Sequence, residues 1–191
     1  GGLVWSGNAR PIPQVRAGFI DFVDIPFTKG WVQIKGELAY GKFMDNDFLR
    51  DHYNYYNQYI TTDALYHHKS ISFRSNPDKP FVVTIGAELA AQFGGTKRYY
   101  KEGVLIDSLT MKSPTRLKDF FKILFPSSGD GQTNEGDQAY YYGNHVGQWN
   151  LSAEYRFKDN SSVRGYFEWY YDDASGMGKF NGWDGLWGLE Y

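Results

Sequence analysis

The sequence of 191 residues contains no cysteine. Disulfide bonds, thiolate metal ligands and a cysteine nucleophile are therefore excluded for this chain. The sequence also lacks a surplus of either charge, because 20 Lys and Arg residues stand against 22 Asp and Glu residues, for a formal net charge of −2. Since nucleic-acid-binding domains usually carry a basic surplus that faces the phosphates, we expect no nucleic-acid partner.

Long hydrophobic runs are missing as well. Mean hydropathy is −0.56, and no apolar stretch approaches the roughly 18 residues that a membrane-crossing helix needs. A membrane-crossing strand needs no such run, because only alternate side chains face lipid. Aromatic residues, in contrast, make up 19% of the chain, with 16 Tyr, 14 Phe and 6 Trp. Such residues are typical of membrane interfaces and can also stack on sugar rings.

The segment 80–93 has the clearest periodicity in the sequence. One of its sides carries an unbroken apolar series: Phe81, Val83, Ile85, Ala87, Leu89, Ala91 and Phe93. A period of two indicates a β-strand. Phe81 and Phe93 lie about 40 Å apart along such a strand, or roughly 28 Å after a tilt of about 45°, which suits the roughly 25 Å apolar band of an outer-membrane barrel. We predict that this strand crosses a membrane, with lipid on one side and a polar lumen on the other.

Six further segments alternate in the same way: 14–22, 31–43, 64–75, 144–157, 163–171 and 183–191. Short connections alternate with the long connections 44–63 and 94–142, as in antiparallel strands that thread a membrane. We predict an all-β fold, an antiparallel transmembrane β-barrel segment of about seven strands of a larger barrel, with long extracellular loops. A soluble β-sandwich also alternates and is the structural alternative.

The third predicted strand fits this scheme least well. His67 and Lys69 share a side with Ile71 and Phe73, and charged side chains are costly in lipid. A β-bulge at His67 and His68 would restore the alternation. Otherwise this part of the strand stands above the membrane.

The long connection 94–142 contains a predicted short helix. Its apolar positions Leu117, Phe120, Phe121 and Leu124 follow Ser113-Pro114, which we interpret as the helix cap. Because the two long connections both follow strands that run in the same direction, we expect them at the same rim. We expect the helix to fold inward there as a partial lid over the barrel mouth.

Several segments together resemble the capsule assembly Wzi family of Bacteroidetes. They are 8–16, 21–30, 40–43, 61–63, 66–67, 91–95 and 182–191. The resemblance implies an outer-membrane barrel of about 18 strands and lectin-like attachment of capsular polysaccharide. With only about seven strands and no initiator methionine or signal pattern at Gly1, we expect residues 1–191 to be a single-domain part of a longer protein.

Tyrosines in the long connections are the candidate polysaccharide-binding residues. They are Tyr53, Tyr55, Tyr56, Tyr59, Tyr99 and Tyr100. The tyrosine ring can stack on the C–H face of a sugar while its hydroxyl forms hydrogen bonds. An aromatic girdle at the membrane interface is the alternative interpretation for tyrosines beside a strand.

Charged residues on the polar sides of the strands form a predicted lumen network. Its members are Lys35, Glu37, Glu88, Glu154, Arg156, Arg164 and Glu168. With a three-residue turn, Arg156 would face Arg164. The network could line a polysaccharide path or could only hold the barrel wall together. A glycosidase needs a protonated carboxylic acid, and adjacent arginines would keep these carboxylates ionised, so we predict no enzymatic activity.

Metal and cofactor signals are weak. His67 and His68 are neighbours on a strand and so point to opposite sides, and the acidic segment 127–137 lacks the spacing of an EF-hand. We expect no metal and no cofactor. The predicted function is binding or anchoring of capsular polysaccharide in the bacterial outer membrane, with lipid and other outer-membrane proteins as further candidate partners. A solute channel and a soluble carbohydrate-active protein are the alternatives.

Overall fold

The computed structural model describes residues 11–44, 46–51, 59–125, 143–172 and 185–191. Strands and helices follow one another as β1 Gln14–Asp24, β2 Val32–Lys42, α1 Asn46–Asp51, β3 Tyr59–Thr62, β4 Leu65–Ser75, β5 Phe81–Phe93, β6 Thr96–Lys101, β7 Val104–Leu105, β8 Met111–Lys112, α2 Leu117–Leu124, β9 Asn144–Arg156, β10 Ser162–Asp172 and β11 Gly185–Glu190. The predicted all-β class is confirmed. Neither described helix has the length and hydrophobicity required to cross a membrane.

The main sheet has seven strands in the order β1-β2-β4-β5-β9-β10-β11. Every neighbouring pair is antiparallel. These are the seven strands that the alternating pattern predicts. Among the described residues the sheet is open, because β1 and β11 each pair on one side only.

The sheet has an apolar face and a polar face, each continuous across the strands. One row of paired residues on the apolar face is Ile34, Phe73, Ile85, Leu151, Phe167 and Trp187. A row on the polar face is Glu37, Ser70, Glu88, Gln148 and Tyr170. The exposed large residues of the apolar face, here termed the apolar band, include Ile71, Phe73, Phe81, Ile85, Leu151, Trp187 and Leu189.

No bulge shifts β4, because it pairs residue by residue with β2 and with β5. His67 and Lys69 therefore stay on the apolar face. His67 is fully buried beside Tyr40, and helix α2 covers Lys69 at this end of the sheet. The Lys69 ammonium donates to the carbonyl oxygens of Ile123, at 3.1 Å, and Leu124, and the Tyr40 hydroxyl donates to a third helix carbonyl at 2.8 Å.

The prediction that the helix folds inward as a lid is wrong. Ile123 is fully buried against Ala91 and Phe93 on the apolar face, with Phe120 beside it. The cause is local complementarity, since this end of the apolar face offers both apolar contacts and a lysine that needs acceptors. The predicted cap is also displaced, because α2 begins at Leu117 and not at Ser113-Pro114.

A second, small sheet lies beyond this end of the main sheet. β3 comes from the first long connection and pairs with β6, which comes from the second. β7 and β8 also pair with β6. The prediction that both long connections lie at the same rim is therefore confirmed.

The opposite rim consists of three short connections. The backbone of Phe27 and Lys29 has positive φ in the first, the Asn76 side chain accepts a hydrogen bond from the Asp78 amide at 2.8 Å in the second, and Asp159 accepts from Ser161 in the third. Hydrogen bonds from Ser161 hold the pKa of Asp159 below its usual value. Exposed aromatic side chains gather near this rim: Phe27, Trp31, Phe81, Tyr155 and Phe157.

Candidate functional site

Two of the predicted tyrosines meet in the small sheet. Tyr59 of β3 lies opposite Tyr99 of β6, with ring centroids 5.0 Å apart. The Lys97 ammonium lies 3.9 Å from the centroid of the Tyr59 ring, a distance typical of a cation–π contact. Tyr59 keeps 48% of its surface exposed. We term Tyr59, Tyr99 and Lys97 the tyrosine platform.

The local chain order explains the platform. Lys97 and Tyr99 are two residues apart on one strand and therefore share a face. On the other face, Ile60 and Thr62 are buried, and the Arg98 guanidinium donates to the Thr62 hydroxyl, which ties β6 to β3. Burial lowers the pKa of Lys97 below its ordinary value.

The remaining predicted tyrosines do not join the platform. Tyr53, Tyr55 and Tyr56 lie outside the described residues. Tyr100 follows Tyr99 on β6 and so points to the opposite face, where its position pairs with Leu105 of β7.

A polar cavity of about 280 Å³ opens beside the start of β6. Its lining comprises Lys42, Asp63, Leu65, Gly95, Thr96, Lys112, Ser113 and Thr115. Lys42 contacts the Asp63 carboxylate at 2.9 Å, and Asn46 of α1 donates to the same carboxylate. Two ammonium groups, a carboxylate and several hydroxyls provide the donors and acceptors that a hydroxyl-rich ligand requires.

On the polar face, His68 joins two of the predicted lumen residues. Its Nδ1 lies 3.2 Å from a Glu37 oxygen and its Nε2 lies 2.8 Å from a Glu88 oxygen. Arg16 contacts Glu37 at 3.4 Å, and Gln148 donates to Glu88 at 3.4 Å. This cluster links β1, β2, β4, β5 and β9.

From the sequence alone, we consider His68 as part of a β-bulge and as a poor metal ligand, but not as a member of the polar network. Its alternation with the polar positions of β4 placed it on the polar face. Glu37 and Glu88 occupy polar positions on the two neighbouring strands, and this pattern could have identified His68 as the centre of a polar cluster.

Three other predicted lumen charges, Glu154, Arg156 and Arg164, form a separate cluster near the short connections. Glu154 lies directly opposite Arg164, and Arg156 donates to Glu154 at 2.7 Å. Arg164 also donates to Glu190 at 3.0 Å. The predicted register, with Arg156 opposite Arg164, is wrong, because the turn is centred on Asp159, one residue earlier than predicted, and Arg156 pairs with Ser162.

Two further predicted lumen residues lie elsewhere on the polar face. Lys35 pairs in position with Ser72, and Glu168 pairs with Asn150. Two polar cavities of about 300 and 290 Å³ lie on this face, and Glu88 and Asn150 line both. Within the described part of the chain, no three His, Asp or Glu side chains are placed to hold a metal ion.

Comparison with protein-family models, with curated protein sequences and with solved structures finds no match to this chain.

Proposed function

We propose that this chain forms part of the wall of an outer-membrane β-barrel and holds a surface polysaccharide at its long connections, without catalysis. The observation that carries the proposal is the position of the tyrosine platform. It lies beyond the end of a two-faced sheet whose apolar band is exposed to its surroundings and whose other face is polar. Outer-membrane barrels have this two-faced character, and their large loops lie at one rim.

Two features support the membrane part of the proposal. Large apolar residues on β4, β5, β9 and β11 of the main sheet remain exposed on one face, and a soluble protein rarely exposes so extended an apolar surface. Aromatic residues border this band at the short connections, as in the girdle of a barrel.

The polysaccharide part depends on the chemistry of the platform. A tyrosine pair in which Tyr59 is exposed and Tyr99 is half-buried offers ring surface to sugar C–H groups and hydroxyls to sugar oxygens. The adjacent polar cavity adds further hydrogen-bonding groups. The resemblance to capsule assembly proteins points to the same class of ligand.

The test replaces Tyr59 and Tyr99 together by Ala in cells that display the polysaccharide. Retained polysaccharide per assembled protein should fall several-fold, because the stacking surface is removed. Replacement of both tyrosines by Phe keeps the rings and should retain most of the binding. Tyr155→Ala, at the opposite rim, is the matched control. Unchanged retention in the double alanine variant would remove the platform from the binding site.

A solute channel is the second candidate, and the two adjoining polar cavities on the polar face favour it. Single-channel conductance through the reconstituted protein tests this function. Conductance that Glu88→Gln alters, together with no polysaccharide binding, would support the channel over the proposal above.

A further inference from the structure

Helix α2 has an apolar surface that is wider than its contact with the sheet. Ile123 is fully buried and Phe120 is partly buried on the sheet side. Leu117, Phe121 and Phe125 nevertheless remain 77%, 60% and 70% exposed. Residues four apart lie on the same side of a helix, so these three side chains form one stripe. We term them the outer stripe.

The charged residues of α2 occupy the remaining flank. At about 100° per residue, Lys118 and Lys122 follow the outer stripe around the helix, on the side away from Phe120. Asp119 is buried and accepts hydrogen bonds from Arg116, including one from its backbone amide at 2.7 Å. The helix thus presents one side to the sheet, an apolar side to its surroundings and a basic flank.

The position of α2 along the sheet relates the outer stripe to the apolar band. On β5 the apolar face is uncovered from Phe81 to Ala87, a distance of about 20 Å along the strand. Leu89, Ala91 and Phe93, further along the same face, are buried. The apolar band of an outer-membrane barrel is about 25 Å tall, so the uncovered part of the strand is too short to match it. The outer stripe lies on the same side of the sheet, at the height of the buried residues Ala91 and Phe93.

We propose that α2 is an interfacial helix whose outer stripe inserts into the boundary between the headgroups and the acyl chains of the bilayer. The inference rests on the membrane part of the proposed function. An amphipathic helix with an apolar side and a lysine flank suits this boundary, where the lysines reach anionic headgroups. The helix also shields Lys69 from lipid, because the carbonyl oxygens of Ile123 and Leu124 accept hydrogen bonds from its ammonium group.

Site-specific fluorescence in vesicles tests this proposal. The sequence has no cysteine, so one introduced cysteine gives a single labelling site in the chain. Phe121→Cys reports on the outer stripe, Lys118→Cys on the basic flank and Ile85→Cys on the apolar band. The intact protein is reconstituted in phosphatidylcholine and phosphatidylglycerol. Each labelled variant is then exposed to aqueous iodide and to lipids with a nitroxide at a shallow or a deep position.

We expect the probe at position 121 to be quenched best by the shallow nitroxide and several-fold less by iodide than the probe at 118. The probe at 85 should be quenched best by the deep nitroxide. Leu117→Cys should repeat the result at 121 and guards against local disruption by the label.

Three results would contradict the proposal, and each has a different meaning. A probe at 121 that iodide quenches as strongly as the one at 118, while the probe at 85 stays in the acyl region, overturns the interfacial helix but leaves the membrane sheet. Protection at 121 from both iodide and nitroxide lipids means that protein covers the stripe, and this also overturns the proposal. A probe at 85 that is open to iodide overturns the membrane part of the proposed function itself.

Discussion

At the residue scale, the polar side chains on the apolar face show how the fold tolerates them. The His67 Nδ1 lies 3.1 Å from the Ala39 carbonyl oxygen, to which it can donate, and the Lys69 ammonium donates to helix carbonyls. An unpaired polar group in an apolar environment would cost several kcal/mol, about 2–7 by most reference scales. The sequence pattern identified both residues as misfits but could not supply their partners, because the acceptor of His67 lies on the neighbouring strand β2 and the acceptors of Lys69 lie on a helix far along the chain.

Two strand glycines provide a residue-scale prediction with an internal control. A Cβ at Gly147 of β9 would overlap the ring of Tyr171, whereas a Cβ at Gly165 of β10 would meet nothing within 4 Å. Gly147→Ala should therefore lower the free energy of unfolding by about 1–3 kcal/mol, a typical cost of overpacking. Gly165→Ala should be neutral or stabilising by up to about 1 kcal/mol, because glycine is unfavourable in a strand.

Denaturant unfolding of both variants in the same detergent checks this pair. Equal destabilisation by the two substitutions would show that the ring of Tyr171 does not pack over Gly147. Tyr171→Ala combined with Gly147→Ala should remove most of the difference, because the overlapping ring is then absent.

At the element scale, the long strands were predictable and the short elements were not. The predicted bounds 80–93 and 144–157 differ from β5 and β9 by one residue at an end, because alternation over such lengths has no competing interpretation. β3 and β6 span only four and six residues. Placing the two long connections at one rim predicts that Tyr59 and Tyr99 lie near each other. The pairing of β3 with β6, which brings their rings into contact, could not be derived from the local pattern.

The packing of α2 on the sheet leads to an element-scale prediction. Ile123 has no exposed surface and contacts Ala91 and Phe93. Ile123→Ala should cost about 2–5 kcal/mol of local stability through the lost contacts and the cavity left behind. Since about 1.4 kcal/mol corresponds to a factor of ten, the α2 amides should exchange at least about 30-fold faster.

Hydrogen exchange measured by mass spectrometry resolves this effect. Phe121→Ala is the matched control, because Phe121 is exposed on the same helix and its loss leaves the contact with the sheet in place. Exchange in β10 should be unchanged in both variants. If Phe121→Ala released the helix as strongly as Ile123→Ala, the packing of α2 through Ile123 would be contradicted.

At the scale of the whole molecule, the division into two faces was predictable, while the contacts across strands were only partly so. Alternation assigns each side chain to a face, but cross-strand partners depend on the length of every turn. A turn placed one residue too late misplaced Arg156, because the connection between the strands is centred on Asp159. Among the described residues, β1 and β11 are open edges of the main sheet. In the proposed barrel their backbone groups would lie in lipid, where they cannot remain unpaired, so the proposal predicts that further strands pair with both edges.

The two faces provide the prediction for the whole molecule. Val83 lies on the apolar face among the exposed rows, and Thr84 lies on the polar face. Val83→Arg should destabilise the protein by about 2–4 kcal/mol in a bilayer, because the charge is forced towards the membrane midplane. Thr84→Arg should cost much less, since its face is hydrated in the proposed barrel.

In the same experiment, the variant Leu89→Arg distinguishes the cost of a charge that faces lipid from the cost of a charge that is buried in protein. Leu89 lies on the same face as Val83 but is buried, and its position pairs with Lys69. The new charge should therefore destabilise the protein equally in bilayers and in detergent, because protein and not lipid surrounds it. The penalty of Val83→Arg should shrink in detergent, where water and headgroups can reach the arginine. Refolding yields of the three variants in vesicles and in micelles measure these differences. A larger penalty for Thr84→Arg than for Val83→Arg in vesicles would reverse the assignment of the two faces.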